Sequence, residues 1–228
     1  MKNIMNLFFA VFLLIGYTVY GQQLVRATDV KMVAEAGTKI VMTGGISFIG
    51  TSNWINNGET YLYKTTATNP EGWLDSTATG VLDATSTGNV FFNGSLRQSF
   101  YGKTKFYDLT IRNTIGDTLL SSCEVKNLLH LDTGYVFTRT GYGNDSLLVS
   151  NPATTAIVST SSYSKSWVNG RLSRTGNVTS PFYLFPIGKT DSLYAPVKLL
   201  KLNTTTNTWT AEYTYAPPID RKIGRAHV

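Results

Sequence analysis

The sequence predicts an all-β protein whose main part is a parallel β-solenoid, in which short strands wind into stacked coils. The first observation is composition: the 228 residues include 32 threonines and 20 glycines, which favour strands and turns over helices. The second is that no long window shows the apolar spacing of an amphipathic helix. The third is a turn pair that recurs every 18 to 20 residues.

Short apolar runs, each followed by a turn pair, form a regular series from residue 88 onward. The runs are Val90–Phe92, Phe106–Ile111, Val125–Leu131, Leu147–Val149 and Trp167–Val168. The turn pairs begin at Asn93, Asn113, Thr133, Asn151 and Asn169. A fixed period in this range indicates one coil per repeat, which buries its apolar face only by stacking on its neighbours. An antiparallel sandwich also produces evenly spaced short strands and is the alternative architecture.

Both ends of the chain carry segments that we expect to lie outside the fold. Residues 1–21 combine Lys2 with the apolar run Leu7–Ile15, a pattern typical of a cleaved secretory signal peptide. Residues 222–228 resemble a translated sequencing adapter, so we expect this tail to be an artefact. On that interpretation the native chain continues beyond Arg221.

Between these ends the sequence predicts two regions. Residues 22–180 form the solenoid, and within them the more polar residues 64–88 are predicted to be a loop or an insertion. Residues 181–221 begin with two prolines close together and are predicted to start a small β-sandwich module that is cut short. Its last segment, 208–215, alternates as a half-buried strand does.

Several short motifs between residues 30 and 215 carry a family resemblance. They are Val90–Gly94, Phe106–Asn113, Leu129–Gly134, Ser166–Arg174, Phe185–Gly188 and Tyr194–Val197. They resemble motifs of large secreted, adhesin-like surface proteins of Bacteroidota. The resemblance implies export by the type IX secretion route, and a final location on the cell surface or in the medium.

The sequence offers little material for catalysis. His130 is the one histidine before the suspected adapter tail, and Cys123 is the one cysteine. These two residues cannot fill a tetrahedral metal site. No metalloprotease, nucleophile-elbow, P-loop or dinucleotide-binding motif occurs. A triad of His130 and Ser146 with Asp132 or Asp145 is disfavoured because the histidine lies among apolar strand residues. We therefore expect no catalytic, cofactor-binding or metal residue, and not an enzyme.

Carboxylates are the remaining catalytic candidates, because some β-solenoids are polysaccharide lyases or glycosidases and glycosidases use carboxylate pairs. The candidates are Asp108, Glu124, Asp132 and Asp145. Asp108 and Asp132 are 24 residues apart, which suits adjacent coils, but aspartate is also common at turns for its own hydrogen bonds. Calcium, which needs only oxygen ligands, stays open near Asn144, Asp145 and Asp132.

The densest aromatic and basic group consists of Tyr163, Trp167, Arg171 and Arg174, near a third basic residue, Lys165. A surface of this kind can stack on sugars, so these four residues are the predicted glycan contact. Ordinary solvated loop charge is the alternative interpretation. The four tryptophans of the chain are interpreted as packing residues rather than as a flat glycan platform.

The net charge of +6 first suggests a nucleic-acid partner. Without Lys2, Lys222 and Arg225, however, 17 basic residues face 14 acidic ones, and the charge falls to +3. We therefore predict no nucleic-acid partner. We expect an exported, non-catalytic scaffold, stalk or adhesion protein whose partners are extracellular glycans or surface components. The alternative is a glycan-binding or polysaccharide-degrading β-helix module.

Overall fold

The computed structural model describes residues 24–63, 71–138, 145–159, 166–179, 181–189, 193–200 and 203–214. Within these ranges every regular element is a β-strand and no helix occurs. Fourteen strands belong to one large sheet, and its pairs are mostly parallel. The all-β prediction is confirmed, and the main sheet does not have the pairing of an antiparallel sandwich. The predicted signal peptide (1–21) and tail (222–228) lie outside the described residues.

The strands are short, apart from two long ones in the middle of the chain. In chain order they are β1 (Val25–Thr28), β2 (Lys31–Ala34), β3 (Lys39–Met42), β4 (Ile46–Ile49), β5 (Asn53–Asn56), β6 (Glu59–Leu62), β7 (Glu71–Asp75), β8 (Asn89–Phe92), β9 (Gln98–Tyr101), β10 (Lys105–Leu119), β11 (Cys123–Thr138), β12 (Leu147–Val149), β13 (Ile157–Ser159), β14 (Ser166–Asn169), β15 (Leu172–Gly176), β16 (Tyr183–Phe185), β17 (Gly188–Lys189), β18 (Leu193–Tyr194), β19 (Val197–Leu199) and β20 (Asn207–Ala211).

Parallel pairs arrange these strands in three ladders. The first ladder runs through β1, β4, β7 and β9, then the ends of β10 and β11, and then β14. The second contains β2 and β5 and, further along, the starts of β10 and β11 with β12 and β15. The third runs through β3, β6 and β8, the middle of β10 and β11, and β13. The two long strands therefore contribute to all three ladders.

The parallel register places residues of the same kind in rows that run across the strands. In the third ladder one inward row consists of Ile40, Thr60, Val90, Leu109, Leu129 and Ile157. Neighbouring positions point to the opposite side of the sheet, because side chains alternate along a strand. The outward row beside it consists of Val41, Tyr61, Phe91, Thr110, His130 and Val158.

Large aromatic side chains fill the core in the first half of the described chain. Trp54 and Trp73 stack at 5.8 Å between ring centroids, and Phe48 lies 4.9 Å from Trp73. Phe106 continues the cluster at 5.2 Å from Trp73. All four side chains are almost completely buried. The interpretation of the tryptophans as packing residues is confirmed for Trp54 and Trp73.

Residues 64–88, predicted as a loop or an insertion, contain the strand β7. This strand pairs with β4 on one side and with β9 on the other. The sequence pattern does not predict this strand because Asp75 occupies an inward position that is normally apolar. The buried Asp75 carboxylate accepts hydrogen bonds from Thr77 N, Thr77 Oγ1 and Val81 N, at 3.0, 2.6 and 2.8 Å, and from Thr104 Oγ1.

The pairing changes near the boundary predicted at residue 181. β16 pairs antiparallel with β19, and β17 with β18. β20 returns to the main sheet and pairs antiparallel with β15. One parallel bridge, Val168 to Ile187, still continues the first ladder. The last part of the described chain therefore covers one end of the parallel sheet.

Two glycines with the same backbone conformation differ in their surroundings. Gly134, on β11, has φ +85°, and a Cβ there would lie 1.6 Å from Asn113 O on β10. Gly37 has φ +82°, and a Cβ there would meet no atom within 4 Å. Both positions lie in the left-handed region that favours glycine. Only Gly134 is also required by close approach of the neighbouring strand.

We predict that Gly134→Ala destabilises the protein much more than Gly37→Ala. The Gly37 substitution carries the backbone strain alone, about 1–2 kcal/mol. The Gly134 substitution adds a clash with backbone and should cost more than about 3 kcal/mol. Urea unfolding of both variants measures the difference. Equal losses would show that the strands β10 and β11 do not approach as closely as described.

Candidate functional site

Two of the four predicted glycan-contact residues are buried, which is a correction to the sequence analysis. Trp167 and Arg174 both have 0% exposure. Trp167 points away from the core, but β17 and β18 cover it: its Nε1 donates to Lys189 O at 3.0 Å, and Tyr194 packs at 5.8 Å. Arg171 is half-buried, and Tyr163 lies outside the described residues. The structure does not bring these residues together as an exposed surface.

Arg174 has a structural role at the end of the core. It continues the inward row of Phe106, Val125 and Val149, where an apolar side chain is expected. Its guanidinium donates to Leu184 O at 2.7 Å and to Ala153 O at 3.0 Å, and it lies over the Tyr183 ring. Burial lowers the pKa of Arg174 to about 10, so it remains charged at neutral pH. It joins β15 to an earlier segment, at Ala153, and to a later one, at Leu184, rather than to a ligand.

The four candidate carboxylates each bind a neighbouring strand or loop. Asp108 Oδ1 accepts from Leu128 N at 3.0 Å, and Asp145 Oδ1 accepts from Ser122 N at 3.0 Å. Glu124 pairs with Lys105 at 3.4 Å, and Asp132 with Arg112 at 2.7 Å. Each of these contacts joins residues about 20 positions apart. This is the spacing of adjacent parallel strands, so the carboxylates have a structural role in the sheet.

His130 and Ser146 do not form a triad. His130 lies in the outward row of the third ladder between Thr110 and Val158. Ser146 lies beside the second ladder, where its carbonyl accepts from Cys123 N at 3.3 Å. Asn144, one of the three candidate calcium ligands, lies outside the described residues. Within the described ranges, no three His, Cys, Asp or Glu side chains come close enough to hold a metal ion.

A concave surface with charged walls lies over the second ladder, and we call it the lysine groove. It consists of two concavities of 360 and 490 Å³ that share Thr79, Lys105 and Glu124. One end is lined by Asn53, and the other by Leu148. Its three basic side chains are Lys103, Lys105 and Lys126.

The groove exists because the second ladder is interrupted between β5 and β10. At this level the chain forms no strand and contributes a single bridge from Trp54 to Leu82. Two similar turns shape the segment around Leu82. Asp75 binds Thr77, and the half-buried Asp83 accepts from Thr85 N at 2.9 Å and from Thr85 Oγ1 at 2.8 Å. The segment between these turns forms one wall of the groove.

A second groove, of 410 Å³, lies at the corner between the second and third ladders. Its lining includes three glycines, Gly37, Gly58 and Gly88, which contribute no side chains. The polar groups there are already engaged with one another. Lys39 pairs with Glu59 at 3.3 Å, and the hydrogen bond from Tyr61 is the largest cause that lowers the pKa of Glu59. This groove therefore offers few open charges.

The lysine groove was not recognised in the sequence, where the basic residues look scattered. Lys105 and Glu124 are adjacent in space because β10 and β11 pair with an offset of 19 positions. The 18- to 20-residue rhythm carries this information, since it places residues one period apart beside each other. The position of Lys103 depends on the irregular segment before it, which the rhythm does not describe.

Comparison with family models, with curated proteins and with solved structures gives no match. The resemblance to surface proteins of Bacteroidota therefore stays an expectation. Among the described residues, no helix is long and apolar enough to cross a membrane.

Asp117 is a fully buried acid and lines neither of the two grooves described above. It has 0% exposure and accepts hydrogen bonds from Asn113 Nδ2, at 2.7 Å, and from the backbone of Gln98. Among the described residues, its second oxygen, Oδ2, and Gln98 Nε2 have no hydrogen-bond partner. Burial raises the pKa of Asp117 well above its ordinary value of 3.8, against smaller opposing effects of these hydrogen bonds and of Arg97.

We predict that Asp117 makes the protein less stable as the pH rises. The folded pKa exceeds the unfolded one, so the folded state binds the proton more tightly, and stability falls above about pH 4. The loss is at most about 1.4 kcal/mol per pH unit, until the folded pKa is reached. Asp117→Asn should remove this slope, as urea unfolding between pH 5 and pH 8 will measure. An unchanged slope would contradict the assignment.

Proposed function

We propose that the chain is a β-solenoid exported to the cell surface, where it acts as a non-catalytic scaffold, stalk or spacer. The observation that carries the proposal is the repeated order of the three ladders. β1, β2 and β3 are followed by β4, β5 and β6, which pair with them one to one in parallel. This is the pairing expected when successive coils stack along one axis.

Later strands support the same repeat. β10 and β11 each pass through the second, third and first ladders in that order. Two of the bends between the ladder segments coincide with register shifts, between Phe106 and Asp108 and between Asn113 and Asp117. A coil with three faces needs such bends at its corners. The turn pairs in the sequence have the same explanation, since asparagine and glycine tolerate the conformations of tight turns.

A scaffold function is supported by how the polar residues are used. The candidate carboxylates and Arg174 bind other parts of the sheet and keep neighbouring strands together. A rod of this kind acts as a spacer and needs no catalytic residue. Export, the type IX route and the surface location rest on residues 1–21 and on the resemblance, and they are part of the proposal.

A deletion of one repeat tests the solenoid. Asp117 pairs with Val136, so removal of residues 117–135 joins equivalent points of successive coils. We predict that this variant unfolds in a single cooperative transition, because the remaining rows stay in register. The matched control removes residues 117–126 and shifts every later strand to another ladder, so it should not fold. Circular dichroism during heating distinguishes them, and equal disruption of both would contradict the solenoid.

An activity test addresses the non-catalytic part of the proposal. The purified full chain is incubated with acidic and neutral polysaccharides, and both reducing ends and unsaturated products are measured. We expect no product above the buffer blank. Reproducible cleavage that is lost in Asp132→Asn but kept in Asp83→Asn would replace the scaffold with the alternative, a polysaccharide-degrading module.

A further inference from the structure

We propose that the lysine groove binds an extended anionic polysaccharide, whose carboxylate or sulfate groups contact Lys103, Lys105 and Lys126. The site goes beyond the scaffold proposal and does not depend on it. The deletion experiment tests the solenoid, and the binding experiment below tests the lysine groove. Either proposal can therefore fail while the other holds.

The shape of the groove fits a linear polymer. Its lining passes from Asn53 on β5, through the segment around Leu82, to Lys105 on β10, Glu124 on β11 and Leu148 on β12. Neighbouring strands lie about 4.8 Å apart, so these four steps span about 19 Å. This length suits several linked sugar units better than a compact small molecule.

The charges of the groove favour an anion. Lys103 Nζ donates to Ala78 O and Lys126 Nζ donates to Ala84 O, each at 3.1 Å. Neither lysine is in an ion pair of the described residues. An ammonium group has three N–H donors, so both retain donors for a ligand. Hydrogen bonds of this kind to an anion are stronger than those to a neutral acceptor.

The two acidic residues of the groove are already occupied. Asp83 accepts hydrogen bonds from Thr85 and, at 3.2 Å, from Asn53 Nδ2. These hydrogen bonds are the largest causes that lower the pKa of Asp83. Glu124 lies 3.4 Å from Lys105. The carboxylates therefore hold the walls of the groove, and Lys103 and Lys126 provide positive charge outside the ion pair of Lys105.

The lining also argues against two other ligand classes. None of the described residues that line the two concavities is aromatic. Single-stranded nucleic acids gain much of their affinity from base stacking on aromatic rings, which this groove does not offer. Neutral glycans would likewise lack a ring to stack on. Charge must supply most of the affinity, together with hydroxyl groups such as Thr79, Ser122 and Ser146.

The test measures binding of the purified full chain to immobilised polygalacturonate and heparin by biolayer interferometry at low salt. The variant Lys103→Gln/Lys126→Gln should bind at least about tenfold more weakly, because two charge-assisted contacts are lost. The matched control Lys39→Gln/Lys198→Gln removes the same charge outside the lysine groove and should bind less than about twofold more weakly. Dextran should not bind.

A second variant keeps the proposal testable if the lysines also stabilise the fold. Thr79→Glu places a negative charge on an exposed residue shared by both concavities, and it should weaken binding at an unchanged unfolding midpoint. Equal weakening in the two double variants would mean non-specific attraction to a basic protein. Absence of binding to both polyanions, or equal binding of dextran, would also overturn the proposal.

Discussion

The structure depends on a single constraint, which is that parallel backbone pairing places equivalent residues in continuous rows. A row that faces inward has no access to water along its length, so each position must be apolar or must satisfy its polar groups internally. Ile40, Val90, Leu109 and Leu129 meet the first condition. Asp75 meets the second, with four hydrogen bonds to its carboxylate.

Some inward positions hold buried polar groups that do not meet either condition fully. Gln98 and Asp117 occupy one inward row with Val136 and Val168, and each retains a polar atom without a partner among the described residues. Arg174 lies in another inward row, where carbonyl oxygens and an aromatic ring face its charge. Burial of these polar side chains costs free energy that burial of an apolar side chain does not.

Local pattern predicts several of the strands but not their environment. The runs at 106–111 and 147–149 are strands because apolar content and turn residues are local signals. The burial of Trp167 depends on β17 and β18, which cover it from a distant part of the chain. The strand within 64–88 was not predicted because a buried acidic residue in it is typical of a loop. The lysine groove was not predicted because its residues are brought together only by the register of the parallel strands.

The parallel register also bears on how the chain acquires its structure. Each parallel pair joins residues roughly 20 to 30 positions apart, as Val25 with Ile46, Glu59 with Asn89 and Leu129 with Ile157 show. The entropy cost of closing a loop grows slowly with its length, and every new strand finds its partner in the segment just completed. A polypeptide with this connectivity can fold in the order in which it emerges from a narrow channel, without waiting for its last residue.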